Sequence, residues 1–144
     1  MLSLREPAVA RTGVTFRQML EKVRYEGAYP TLERAEDVTR AVLEALGRQL
    51  TGSERQELAA CLPAEAAQAL TSQFPDPRSL TGWGFVKNLA TRTGVSPAVS
   101  RWDTGAVLSV VRRIAGDGLT ARIIGQLPDG YALLFGRAQL VRAA

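Results

Sequence analysis

Histidine is absent from the 144-residue chain, and cysteine occurs once, at Cys61. The first absence excludes Ser-His-Asp and Cys-His catalysis and imidazole metal ligation. The second excludes an internal disulfide and a cysteine-built structural zinc site. Aromatic residues are only 6% of the chain and are not interleaved with its basic cluster, which weakens a base-stacking platform. No window approaches the ~20 consecutive apolar residues of a membrane-spanning helix. Phosphate-cradling glycine patterns are missing: there is neither a GxxxxGKS/T loop nor a GxGxxG turn after a strand. Sustained period-2 alternation is also missing, so no strands are expected.

What is present is the balance of a folded globular chain, 46% apolar and 22% charged, long enough for one domain or two very small ones packed together. Residues 1–14 carry Glu6 and Pro7 and lack an apolar signal-peptide core, so they read as a loose arm. The cytoplasm is the expected location. Carboxylates are scattered on polar helix faces and form no catalytic pair, so no enzyme and no cofactor are expected.

Order and spacing point to an internal repeat. The first copy runs from Phe16 in FRQMLEKV through VTRAVLEALGRQLTG to CLPAEAAQAL. The second runs from Phe85 in FVKNLATRTGV through GAVLSVVRRIAGDG to QLPDGYALLF. Val42-Leu43 and Leu62-Pro63 correspond to Val107-Leu108 and Leu127-Pro128 at an offset of 65, whereas the opening phenylalanines are offset by 69. The first copy therefore holds about four extra residues, placed in the YEGAYPTL loop. Such duplication decides how the fold is read. The expected organisation is an arm over 1–14, a first helical repeat over 15–73, a linker over 74–84 rich in proline and glycine, and a second repeat over 85–144.

Each copy reads as four helices, giving an all-α bundle of about eight. Thr15 caps a helix to about Val23, with Phe16, Met19, Leu20 and Val23 at helical spacing. A long helix follows from Leu32 to Leu50, burying Ala35, Val38, Val42, Ala45, Leu46 and Leu50. Ser53 and Gln56 predict a capping box for a short third helix, and Pro63 opens a fourth to Leu70. In the second copy the predicted helices span Phe85–Arg92, Ser96–Ile114, Leu119–Leu127 and Pro128–Phe135, with a further short one over Ala138–Arg142.

Charge is distributed unevenly. Residues 1–72 hold nine basic and ten acidic side chains, whereas residues 73–144 hold nine and four, so the excess of +4 lies in the second half. The first long helix carries its own i, i+4 pairs, Glu36–Arg40 and Glu44–Arg48. The second buries Ala106, Val107, Val110, Val111 and Ile114 and turns Arg101 and Arg112 to the opposite side, with no acid four residues before Arg112. Lys87, Arg92, Arg101, Arg112, Arg113 and Arg122 are the candidate anion- or partner-binding residues. The competing reading is that they pair with Asp103, Asp117 or the acidic first half.

Other residues carry less. Cys61, on an apolar stretch, reads as a buried, inert thiol. Trp83 and Trp102 read as packing residues. Asp103 faces the apolar arc, which makes it the partner of an arginine, a member of a frayed first turn or a polar anchor in an interface. Asp129 is placed to cap the last helix.

The residues Phe85, Leu89, Gly94, Val95, Ala106, Val107, Leu108, Ile114, Gln126, Leu127, Pro128, Tyr131, Leu134 and Phe135 resemble the pattern of a bacterial family, domain of unknown function 2267. In the first copy Phe16, Leu20, Val23, Ala41, Val42, Leu43, Leu46, Leu62 and Pro63 carry the likeness, while Ala66–Leu70 depart from the Tyr–Leu–Phe ending. The resemblance implies a duplicated helical fold and no established activity. The expected function is a non-enzymatic interaction or assembly module that binds a protein partner or itself. The alternative is a nucleic-acid-binding module using a basic face of the second repeat.

Overall fold

A computed structural model describes residues 13–137, and every regular element in that range is a helix. In chain order they are α1 (Phe16–Gly27), α2 (Leu32–Gly47), α3 (Gly52–Cys61), α4 (Ala64–Thr71), α5 (Gly82–Thr93), α6 (Pro97–Ala115), α7 (Asp117–Gln126) and α8 (Tyr131–Leu134). None is long and apolar enough to cross a membrane. Residues 1–12 of the expected arm and the helix expected over 138–142 lie outside the described residues.

The helix starts follow local chemistry. Thr15 and Gln18 close a reciprocal capping box on α1. The side chains of Thr31, Thr81 and Ser96 accept from the backbone N–H groups of Arg34, Gly84 and Val99 at the starts of α2, α5 and α6.

Several boundaries differ from expectation. The α2 helix stops at Gly47, because the N–H groups of Arg48, Gln49 and Leu50 fold back onto the Glu44, Ala45 and Leu46 carbonyls. The Ser53–Gln56 box does not form, since α3 already begins at Gly52 and Thr51 before it is held by Gln126. The α5 helix begins at Gly82, so Trp83 and Gly84 belong to it rather than to a linker. Asp129 does not cap α8 with its side chain; its backbone carbonyl accepts the Gly82 N–H at 2.8 Å.

One continuous apolar cluster runs from Met19 on α1 to Phe135 after α8. The α6 helix is its axis, packing against α1, α2, α3, α5, α7 and α8. Phe85 and Tyr131 meet edge to face at 5.6 Å. The α2–α4 crossing is so close that a Cβ at Gly47 would collide with the Leu70 carbonyl. Beside it Arg55 donates to the carbonyls of Gly47, Leu50 and Gln73, tying the ends of α2 and α4 together.

Candidate functional site

Among the described residues, the polar contacts between residues 15–73 and 85–137 gather at two places. At one, Arg122 pairs with Glu54 and Glu57, and Gln126 bonds Thr51 and Glu54, joining α7 to α3. At the other, two residues at the end of α1, Glu26 and Gly27, and Tyr29 in the turn after it reach α6. The Gly27 carbonyl accepts from the Trp102 indole N–H at 2.9 Å, the Tyr29 hydroxyl donates to the Asp103 carboxylate at 2.6 Å, and Glu26 pairs with Arg113 at 2.6 Å. The turn is held in shape by Arg24, which donates to the carbonyls of Tyr29 and Pro30.

The same seam presents large side chains to solvent. Tyr25 is 84% and Trp102 57% exposed, and Val99 is also exposed. Glu26 is shared by a cleft lined by Tyr25 and Arg113 and a groove lined by Arg101, Trp102 and Gly105. Tyr, Trp and Arg are the residue types enriched at protein interfaces and in their hot spots. The reading of Trp102 as a packing residue is corrected in part: its N–H is fixed to α1 while more than half of its surface stays open. Trp83 is exposed as well.

The six candidate cations have separate surroundings. Lys87 lies over the Trp83 ring, Arg92 donates to Asn88, and Arg101 lies against Gly105. Arg112 turns onto the chain after α8, donating to the Phe135 and Gly136 carbonyls. Arg113 and Arg122 pair with glutamates of the first half, not with Asp103 or Asp117. The Arg122 contact holds the Glu57 carboxyl below its ordinary range. Arg48, which reaches Gln73 rather than pairing with Glu44, is a further cation in this half's surroundings; burial and then the nearby Arg92 charge lower its pKa.

Asp103 is the polar anchor among the three readings open to it, buried to 8% exposure and bonded to Tyr29. Burial first, then the bond to and the charge of Asp103, push the Tyr29 phenol well above its usual range. Cys61 is half-buried rather than enclosed; burial and the Glu57 charge raise its pKa, which disfavours the reactive thiolate. Reasoning from the sequence missed Tyr25, Tyr29 and Glu26. The signal that could have found them is the pair of tyrosines, Tyr25 and Tyr29, flanking Glu26 and Gly27 in one short stretch.

The helices thus define an all-α module whose two halves share one core and are clasped through α6. The chain belongs to the family of uncharacterized conserved proteins DUF2267, whose model matches residues 16–134. No curated protein matches the chain.

Proposed function

We propose that the protein is a non-enzymatic helical interaction module that binds a protein partner or a second copy through the face where α1 meets α6. The observation that carries this reading is that exposed Tyr25 and Trp102 line two clefts that share Glu26, the partner of Arg113, with exposed Val99 one turn before Trp102 on α6. Exposed aromatics beside a fixed ion pair offer large contact area on a rigid frame. Bacterial origin, a cytoplasmic setting and duplication of one four-helix unit belong to the same proposal. Helix lengths of 12, 16 and 10 residues in α1–α3 beside 12, 19 and 10 in α5–α7 support the duplication.

The test places a photo-crosslinking amino acid at Val99 and, as a control, at Gln68 on the exposed side of α4. Crosslinked species are expected from position 99, reduced by Tyr25→Ala with Trp102→Ala, and not from position 68. Equal yields at both positions would remove the reading.

A second reading, nucleic-acid binding, is favoured by α5. There Lys87 lies 5.9 Å over the Trp83 ring, and Arg92 is a neighbour of Arg48. A cation beside an exposed indole suits a phosphate with an adjacent base. This reading expects binding to single-stranded DNA that weakens steeply with salt and is lost in Lys87→Ala with Arg92→Ala. Binding that ignores both salt and these substitutions counts against it.

A further inference from the structure

A cavity of about 310 Å³ opens between α2, α5 and α6. Val38, Val42, Leu89 and Val95 form its apolar walls, Asp103, Asp37 and Arg34 are its charged lining, and Thr93 and Ser100 add hydroxyls. Asp103 is more than nine-tenths buried, accepts one hydrogen bond from the neutral Tyr29 hydroxyl, and forms no ion pair among the described residues. No described residue donates to its second carboxylate oxygen, and that atom is not among the fully enclosed orphans, so it keeps some accessible surface.

A buried carboxylate with a single neutral donor is costly unless a cation reaches it. Asp103 therefore sets the sign of the ligand, and the aliphatic walls set its body. We propose that this cavity binds an alkylammonium group, its nitrogen on Asp103 and its methylene chain along Val42, Leu89 and Val95. The volume is roughly that of ten liquid waters, which suits an amine of about five carbons and is at the small end for ligand pockets. At the exposed rim Asp37 adds a negative charge and Arg34 a positive one, so the lining keeps one net negative charge, with Asp103 its buried member. Two carboxylates do not make a metal cluster, and no group of three or more His, Cys, Asp or Glu converges among the described residues. The ammonium could belong to a free aliphatic amine or to a lysine side chain of another protein, and the chemistry recognised is the same.

The experiment is an NMR titration of the full chain with n-pentylammonium, with pentanoate and 1-pentanol as isosteres of other charge. Saturable shifts are expected at Leu89, Val95 and Asp103 with the ammonium alone. Asp103→Asn keeps an acceptor for Tyr29 and is expected to weaken binding about tenfold or more. Thr93→Phe at the exposed mouth leaves the charges intact and is expected to abolish binding by filling the entrance, which keeps the test decisive should Asp103→Asn fail to fold. A second arm titrates Nα-acetyl-lysine-N-methylamide: shifts in both arms identify a lysine side chain as an acceptable source, and shifts with pentylammonium alone identify a free amine. Equal response to pentanoate or pentanol, unchanged affinity in both variants, or no saturable shift with either amine would overturn the assignment.

Discussion

The Tyr29 hydroxyl and the Asp103 carboxylate, 74 residues apart in sequence, meet at 2.6 Å. The bond joins the turn after α1 to the first half of α6 and satisfies one oxygen of a buried carboxylate. Tyr29→Phe removes the donor and leaves the carboxylate in place. It is expected to lower stability by about 1–3 kcal/mol, the cost of orphaning a buried polar group. Urea unfolding of Tyr29→Phe, Asp103→Ala and the double variant measures the coupling. Strict additivity would show that the bond contributes nothing.

Alkaline pH is expected to unfold the protein through two tyrosines. Burial raises the pKa of Tyr131, and burial with the Asp103 contact raises that of Tyr29. The unfolded chain ionises such phenols near about 10, while the folded chain holds them protonated. Their stabilising contribution is therefore complete below about pH 10 and is lost as pH rises above it, by up to about 1.4 kcal/mol per pH unit for each phenol. Urea midpoints between about pH 9 and 11.5 check this, and a midpoint that stays level would contradict it.

Arg55 is expected to matter more than its place on a short helix suggests. Its guanidinium donates to the Gly47 and Gln73 carbonyls at 2.6 and 2.7 Å and to Leu50 at 3.2 Å. Arg55→Ala strands these acceptors at the helix ends and is expected to cost about 2–3 kcal/mol. Arg55→Lys recovers only part, because an ammonium lacks the planar fork. Thermal unfolding of the two variants decides it; recovery of full stability by lysine would argue against the fork geometry.

Two threonines should be replaceable with gain. The hydroxyls of Thr104 and Thr120 are buried without a hydrogen-bond partner among the described residues. Valine has nearly the same shape and no polar group to desolvate. Thr104→Val and Thr120→Val are each expected to raise stability by about 1 kcal/mol. Differential scanning calorimetry reads the shift, and a loss in both would show that the hydroxyls are satisfied.

The sequence by itself determined the helices, because their signals are local. Thr15 with Gln18, Thr31 and Ser96 with Pro97 mark starts that the backbone obeys, and the 3.6-residue spacing of Val38, Val42 and Val107 marks the faces that become core. At the starts of α3 and α5 a distant group had intervened: Gln126 took Thr51, and the Asp129 carbonyl took the Gly82 N–H. Only the tertiary structure decided which charges stay free. Helical geometry turned Arg112 outward from its own helix, but the chain after α8 came to lie beside it and accepted its bonds. Arg113 and Arg122 met glutamates 87 and 65 residues away. Asp103 likewise became an anchor and a cavity wall through Tyr29, whose position depends on how the two halves dock. Periodicity along one helix fixes direction around that helix; partners across a core are fixed by packing, which a single sequence does not spell out.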